Sequence, residues 1–196
     1  MNKNIIWVIG CPRSGTTFLT NLIGQHTKYC FNEPWRKYPI NQHKNWRLPT
    51  DGDIVFKYCK NCQHYKEINE LYPNSKWIHI IRDPIHVIYS IAFAKPESHP
   101  IRNFRCTISE KQWDLANYKI INKKIKNAIQ MRKSYIECCN KAEKALIINY
   151  ENINAQKLSY FLNMKIENEN FINRNLYFDE NKMNFVKSIV EKENIF

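Results

Sequence analysis

Residues 5–17, Ile-Ile-Trp-Val-Ile-Gly-Cys-Pro-Arg-Ser-Gly-Thr-Thr, hold the side chains best placed to do chemistry. An apolar strand runs into two glycines spaced as in the phosphate loop G-x-x-x-x-G-K-[ST]. In that motif backbone N–H groups cradle phosphates, the lysine reaches the terminal ones and the Ser/Thr hydroxyl serves magnesium. Gly10, Gly15 and Thr17 keep the pattern, but Thr16 stands where the lysine belongs, and a cation sits inside the loop as Arg13. Tight glycine turns and the start of the next helix still favour an anion. What is missing is the group that grips a γ-phosphate, and with it the reason to hold Mg²⁺. A strand-turn-helix corner with two incidental glycines fits less well, because the amphipathic segment Phe18 to Ile23 follows where the motif requires a helix.

A second constellation is Ile80-Ile81-Arg82-Asp83-Pro84, with Ser90 eight residues after the arginine. A strand ending in arginine puts a guanidinium at the carboxyl edge of a sheet, where open α/β folds bind their ligands. An arginine fork with a hydroxyl suits a phosphate monoester. Alone, Arg82 reads better as a partner of Asp83 or a cap on a neighbouring helix; taken together with the loop at Gly10, the phosphate reading prevails.

Other reactive residues give less. Cys59-x-x-Cys62 with His64 resembles half of a zinc site, but Cys138 and Cys139 are adjacent rather than spaced to complete it, so no metal is expected. Seven scattered cysteines and the absence of a secretory signal lead to an expectation of reduced thiols and a cytoplasmic location. His79 and His86 flank the arginine motif and are read as packed or hydrogen-bonded neighbours. The formal charge of +12 suits a small, highly anionic cofactor as well as a nucleic acid. No nucleic-acid partner is expected, because the aromatic and basic interleaving of an RNA-binding sheet is absent. No apolar run is long enough to span a bilayer.

The elements that must position these residues alternate in type. Short β-branched runs suggest strands at Asn4 to Ile9, Ile54 to Lys57, Lys76 to Ile81 and Ala145 to Asn149. Helical patterns cover Thr16 to Gln25, Tyr65 to Leu71, Pro84 to Phe93 with proline in its first turn, Ser109 to Ala142 and Glu180 to Glu191. In the long one, Trp113, Ala116, Ile120 and Ile121 supply the apolar face. Trp35 to Asp51 and Lys95 to Thr107 read as long loops of the kind that form lids or substrate walls. This predicts an α/β fold, three-layered about a central parallel sheet, of the phosphate-loop nucleotide-binding type, in one domain over residues 1–196.

GCPRSGTTFL, IIRDPIHVIYSI and INYENI together resemble the cofactor motifs of sulfotransferases that use 3′-phosphoadenosine 5′-phosphosulfate (PAPS), in scattered blocks over roughly residues 4 to 155. The resemblance implies that Arg13, Ser14, Gly15, Thr16 and Thr17 hold the 5′-phosphosulfate, that Arg82 and Ser90 hold the 3′-phosphate, and that Tyr150 lies near the adenine. It implies transfer to a hydroxyl of a carbohydrate, a tyrosine or a small metabolite, with release of the 3′,5′-bisphosphate (PAP) and without metal. Arginine at position 13 aligns the chain with the tyrosylprotein and many bacterial members, where small-molecule enzymes commonly have lysine. Those small-molecule enzymes carry K-x-H on the second strand; here Lys57-Tyr58-Cys59 keeps the lysine and puts a thiol in place of the histidine, a poor base. Arginine-type members use a glutamate roughly twenty residues after the loop arginine, which implies Glu33 as general base, with Lys57 as a second cation on the transferring group.

Two other readings stay open: an atypical kinase or NTPase, and a nucleotide-binding protein without catalysis. Nothing after Tyr150 matches the Arg-Lys-Gly segment that closes the nucleotide in cytosolic members, and Lys95, Arg102 or Arg105 are candidates to replace it.

Overall fold

The computed structural model describes residues 4–34, 38, 40–59, 61–93, 106–167 and 178–194. Trp35, Lys95, Arg102 and Arg105 lie outside them. The chain gathers into two compact units, residues 1–81 with 135–172 and residues 82–134 with 173–196.

The first unit is built on five parallel strands, β1 (Ile5–Ile9), β2 (Tyr29–Asn32), β3 (Ile54–Lys57), β4 (Lys76–Ile81) and β5 (Leu146–Asn149), in the order β2-β3-β1-β4-β5. Parallel neighbours need long crossovers. Helix α1 (Thr16–Gly24) links β1 to β2, and α2 (Tyr65–Leu71) lies between β3 and β4. Every residue of β1 is buried, as a central strand covered on both faces must be. Its odd positions Ile5, Trp7 and Ile9 join Phe56, Trp77, Tyr65 and Ile68 on one face. Ile6 and Val8 join Val55, Ile78 and Ile148 on the other, under Leu19 and Ile23 of α1 and Leu158 and Leu162 of α6 (Ala155–Leu162). Each such side chain contributes about 1.5–3 kcal/mol by leaving water. The first face is rich in aromatics, with Trp7 stacked on Phe56 at 4.6 Å and Trp77 at 5.5 Å.

The layered α/β architecture is therefore the expected one, and four strands fall within a residue of their anticipated bounds. The fifth, β2, is an addition. It is four residues long, pairs with β3 alone, and alternates half-buried with exposed residues, so it offers little periodicity of its own. Helix α6 is also an addition, capped by the Asn154 side chain, which accepts from the Lys157 amide.

The second unit contains α3 (Pro84–Ala92), α4 (Glu110–Asp114), most of α5 (Tyr118–Cys139) and α7 (Glu180–Lys192), with α3 and α7 in contact. The single helix expected over Ser109 to Ala142 is two. Ser109 opens the first in a reciprocal capping box with Gln112. Ala116 then turns left-handed at φ 46°, and the Asn117 side chain accepts from the Ile120 amide to start α5. The buried face of α5 is Ile121, Ile125, Ala128 and Ile129, spaced as one helical face; Ala116 and Ile120 are exposed. Lys182 of α7 is buried there, bonded to Glu110 at 2.6 Å with its ammonium over the Phe93 and Trp113 rings.

Candidate active site

The order of strands reverses beside β1, which is flanked by β3 and β4, and such a switch point is where open α/β sheets bind ligands. The loop from β1 into α1 leaves from its carboxyl end. Gly10 is required by close approach: a Cβ there would stand 2.7 Å from the backbone oxygen of Ile80. Arg13 adopts φ 73° and Gly15 φ 96°, both left-handed. Between them the buried Ser14 ties the turn, its amide and its hydroxyl both donating to the Cys11 carbonyl at 3.1 and 2.6 Å.

Gly15 is the N-cap of α1, so no side chain caps the helix, and no acidic residue sits in its first turn. First-turn amides and a half-buried arginine suit a multiply charged anion, so the donor set fits a phosphosulfate. A Cβ at Gly15 would lie 2.2 Å from the Tyr150 ring, which packs flush against the loop and meets Phe18 edge-on at 6.0 Å. Tyr150 is held there by a 3₁₀ turn, Tyr150–Asn152, that directly follows β5.

Thr16 points inward: it is buried, with its hydroxyl 3.8 Å from the Cys59 sulfur. Thr17 is exposed. Burial, reinforced by the negative charge of Glu33, pushes the Cys59 thiol up to about 12. It stays a neutral thiol at physiological pH, neither nucleophile nor base. The position that holds histidine in small-molecule enzymes is here part of the floor beneath the loop.

Glu33 and Lys57 meet because of strand register. Asn32, the last residue of β2, is opposite Lys57, the last of β3, and the Glu33 amide donates to the Lys57 carbonyl at 3.0 Å. Glu33 then turns left-handed at φ 49°, and its Oε1 lies 3.5 Å from Lys57 Nζ. The lysine side chain is 9% exposed and the glutamate 22%, so the pair is largely screened from water but open on the carboxylate side. Removing either partner would leave the other charge in a partly dry setting.

Tyr58 and Tyr135 are neighbours of the Glu33–Lys57 pair that no spacing announced. Burial, then the charge of Glu33, raises the Tyr58 phenol above its ordinary value. Burial, then the surrounding Cys59, Cys11 and Glu33, does the same for Tyr135 on α5. Both stay protonated, and the Tyr58 hydroxyl donates to the Tyr38 carbonyl. The only sequence signal for Tyr135 is its place one helical turn before Cys138 and Cys139, which join the core of this unit.

Arg82 and Ser90 belong to the second unit, and both are buried. Arg82 directly follows β4. Asp83 N-caps α3, its Oδ1 accepting from the amides of Ile85 at 2.8 Å and His86 at 3.1 Å, with Pro84 in the first turn. Among the described residues no group of three or more His, Cys, Asp and Glu is arranged to hold a metal ion.

The sequence profile of the sulfotransferase domain matches residues 3–194. The chain belongs to the sulfotransferase domain family. Members of this family are PAPS-dependent enzymes that transfer a sulfonate group. Among solved structures this sulfotransferase is similar to one from Alicyclobacillus acidocaldarius, at 12% identity and TM-score 0.49 over 98% of this chain and 94% of that one. It is similar to mouse sulfotransferase SULT7A1 complexed with PAP, at 14% identity and TM-score 0.49 over 99% of this chain and 67% of that one. It is also similar to shikimate kinase from Bacteroides thetaiotaomicron, at 10% identity and TM-score 0.43 over 97% and 98%. No curated protein sequence matches it. Among the described residues no helix is long and apolar enough to cross a membrane.

Proposed function

We propose that this sulfotransferase moves the sulfonate of PAPS to a hydroxyl of a carbohydrate, a tyrosine or a small metabolite, by in-line displacement without metal. The observation that carries the reading is the Glu33–Lys57 pair, a carboxylate and an ammonium 3.5 Å apart at the carboxyl ends of adjacent strands. A proton acceptor and a cation side by side are what attack by a hydroxyl on an anionic centre needs.

When bound, PAPS supplies an activated sulfonate and, after transfer, leaves as the 3′,5′-bisphosphate. Arg13 and the amides of Gly15 to Thr17 bind the 5′ side around the turn that Ser14 ties, and Arg13 offsets charge that builds on the departing oxygen. Lys57 balances the sulfonate oxygens. Glu33 takes the acceptor hydroxyl's proton onto its carboxylate. By the resemblance, Arg82 and Ser90 bind the 3′-phosphate, and Tyr150 flanks the adenine. The neutral Cys59 thiol supports this division of labour, because it leaves Glu33 as the base.

Calorimetric titration tests the donor. Adenosine 3′,5′-bisphosphate should bind with EDTA present, and ATP with Mg²⁺ should not. The reverse preference would make the chain a kinase or NTPase. Labelled PAPS offered with phenols, tyrosine peptides and sugars then separates the acceptor classes, and turnover on none of them would reduce the chain to a binding protein.

A further inference from the structure

Cys62 lies in the 3₁₀ turn Asn61–His64 just before α2, and Cys138 lies in the last turn of α5, 76 residues away. Their sulfurs are 2.6 Å apart, and the Cys139 sulfur is 3.8 Å from that of Cys62. A disulfide bond is about 2.05 Å long. Closing Cys62 onto Cys138 therefore takes a shift of about half an ångström, well within side-chain adjustment, whereas Cys139 would have to travel more than three times as far. We propose that Cys62 and Cys138 are an oxidation site, which hydrogen peroxide converts to a disulfide joining the β3–α2 turn to the end of α5.

The roles of the two thiols differ. Cys62 is fully buried, while Cys138 keeps 9% exposure. Contact with Cys139, then burial, pushes the Cys62 thiol far up, so it acts second. Cys138 loses its proton and attacks a peroxide oxygen; the O–O bond breaks, giving Cys138 sulfenic acid and hydroxide. That hydroxide takes the Cys62 proton, forming water. The Cys62 thiolate attacks the Cys138 sulfur, the S–S bond forms, and the hydroxide displaced takes up the first proton. Two thiols are oxidised by two electrons, and peroxide is reduced to two waters.

The bond acts close to the proposed transfer site without using its residues. The Cys62 thiol donates to the Cys59 carbonyl at 3.8 Å, and the Cys59 side chain faces Thr16 of the loop. Oxidation removes that S–H donor and in its place ties the turn that follows Cys59 covalently to the end of α5.

The test treats the whole chain with a slight excess of hydrogen peroxide, blocks remaining thiols and maps tryptic peptides. The peptides bearing Cys62 and Cys138 should run as one linked species that dithiothreitol separates, with Tm higher by ~5–10 °C in the oxidised form. The link should vanish in Cys138→Ala and persist in Cys139→Ala; because these variants alter different sulfurs of one peptide, they also assign the bond if Cys62→Ala fails to fold. Unlinked peptides after peroxide, or a link that survives Cys138→Ala and is lost in Cys139→Ala, would overturn the assignment.

Discussion

The loop proposed to bind the donor and the carboxylate proposed as base grow from strands of opposite kind. The loop leaves β1, which is paired on both sides and buried on both faces; Glu33 leaves β2, an edge strand paired with β3 alone. A central strand cannot shift without disturbing both neighbours, so the loop's backbone amides are held by the whole sheet. An edge strand is held on one side and carries its end residue with more latitude. The proposed function thus puts anion binding, which needs several fixed donors at once, on the rigid element, and the acceptor side on the more adaptable one.

The sharpest way to break this division is Glu33→Gln. Turnover should fall on the order of 10²–10⁴-fold while affinity for adenosine 3′,5′-bisphosphate stays within about twofold. Steady-state kinetics beside calorimetry reads both, and full turnover would remove Glu33 from the chemistry. Gly15→Ala should do the opposite. A Cβ at φ 96° and 2.2 Å from the Tyr150 ring should cost about 3 kcal/mol of stability and weaken bisphosphate binding at least tenfold. Unchanged affinity in that variant would mean that the loop amides do not bind the nucleotide.

Acid tests the centre of the sheet. His79 on β4 is opposite Ile9 of β1, and burial pushes its imidazole down to about 4. The unfolded chain takes up this proton near pH 6.5 and the folded one only near 4. Stability is therefore full above about pH 6.5 and falls as pH drops to about 4, by about 3 kcal/mol in all. Urea unfolding across that window should show the slope in the parent and lose this component in His79→Leu; parallel curves would contradict it. The smallest effect belongs to the edge. Phe31 on β2 is half-buried and stacks on Phe56 at 5.1 Å, so Phe31→Ala should cost about 1–2 kcal/mol. It should lower kcat severalfold and leave bisphosphate affinity nearly alone. Equal losses in both would erase the distinction between centre and edge.

The same contrast governs what could be read from the sequence. The β1 loop is legible because its glycines, hydroxyls and flanking apolar run are contiguous, and each is explained by local backbone chemistry. Strands β3 and β4 are legible as compact β-branched runs. Strand β2 is not, because its formation depends on pairing with residues 54–57 rather than on its own pattern. The Glu33–Lys57 contact depends on that register, so the resemblance to arginine-type enzymes nominates Glu33 and the sheet explains how it reaches Lys57. The split between α4 and α5 hides for another reason. Its left-handed residue is Ala116, with no glycine or proline to mark the break, and only Asn117 carried a capping signal.

Under the proposed function, the backbone angles at positions 13 and 33 set stability against activity. Among the described residues, the other non-glycine side chains with positive φ are Ala116, Asn163 and Asn194, which lie at helix ends or breaks; the two charged ones are Arg13 and Glu33. A residue with a Cβ held in that region costs roughly 1 kcal/mol relative to glycine. Selection for thermal stability alone would therefore favour glycine or asparagine at these two places. A thermostability-directed library of this sequence should enrich such replacements there, and the enriched clones should be the ones that no longer turn over.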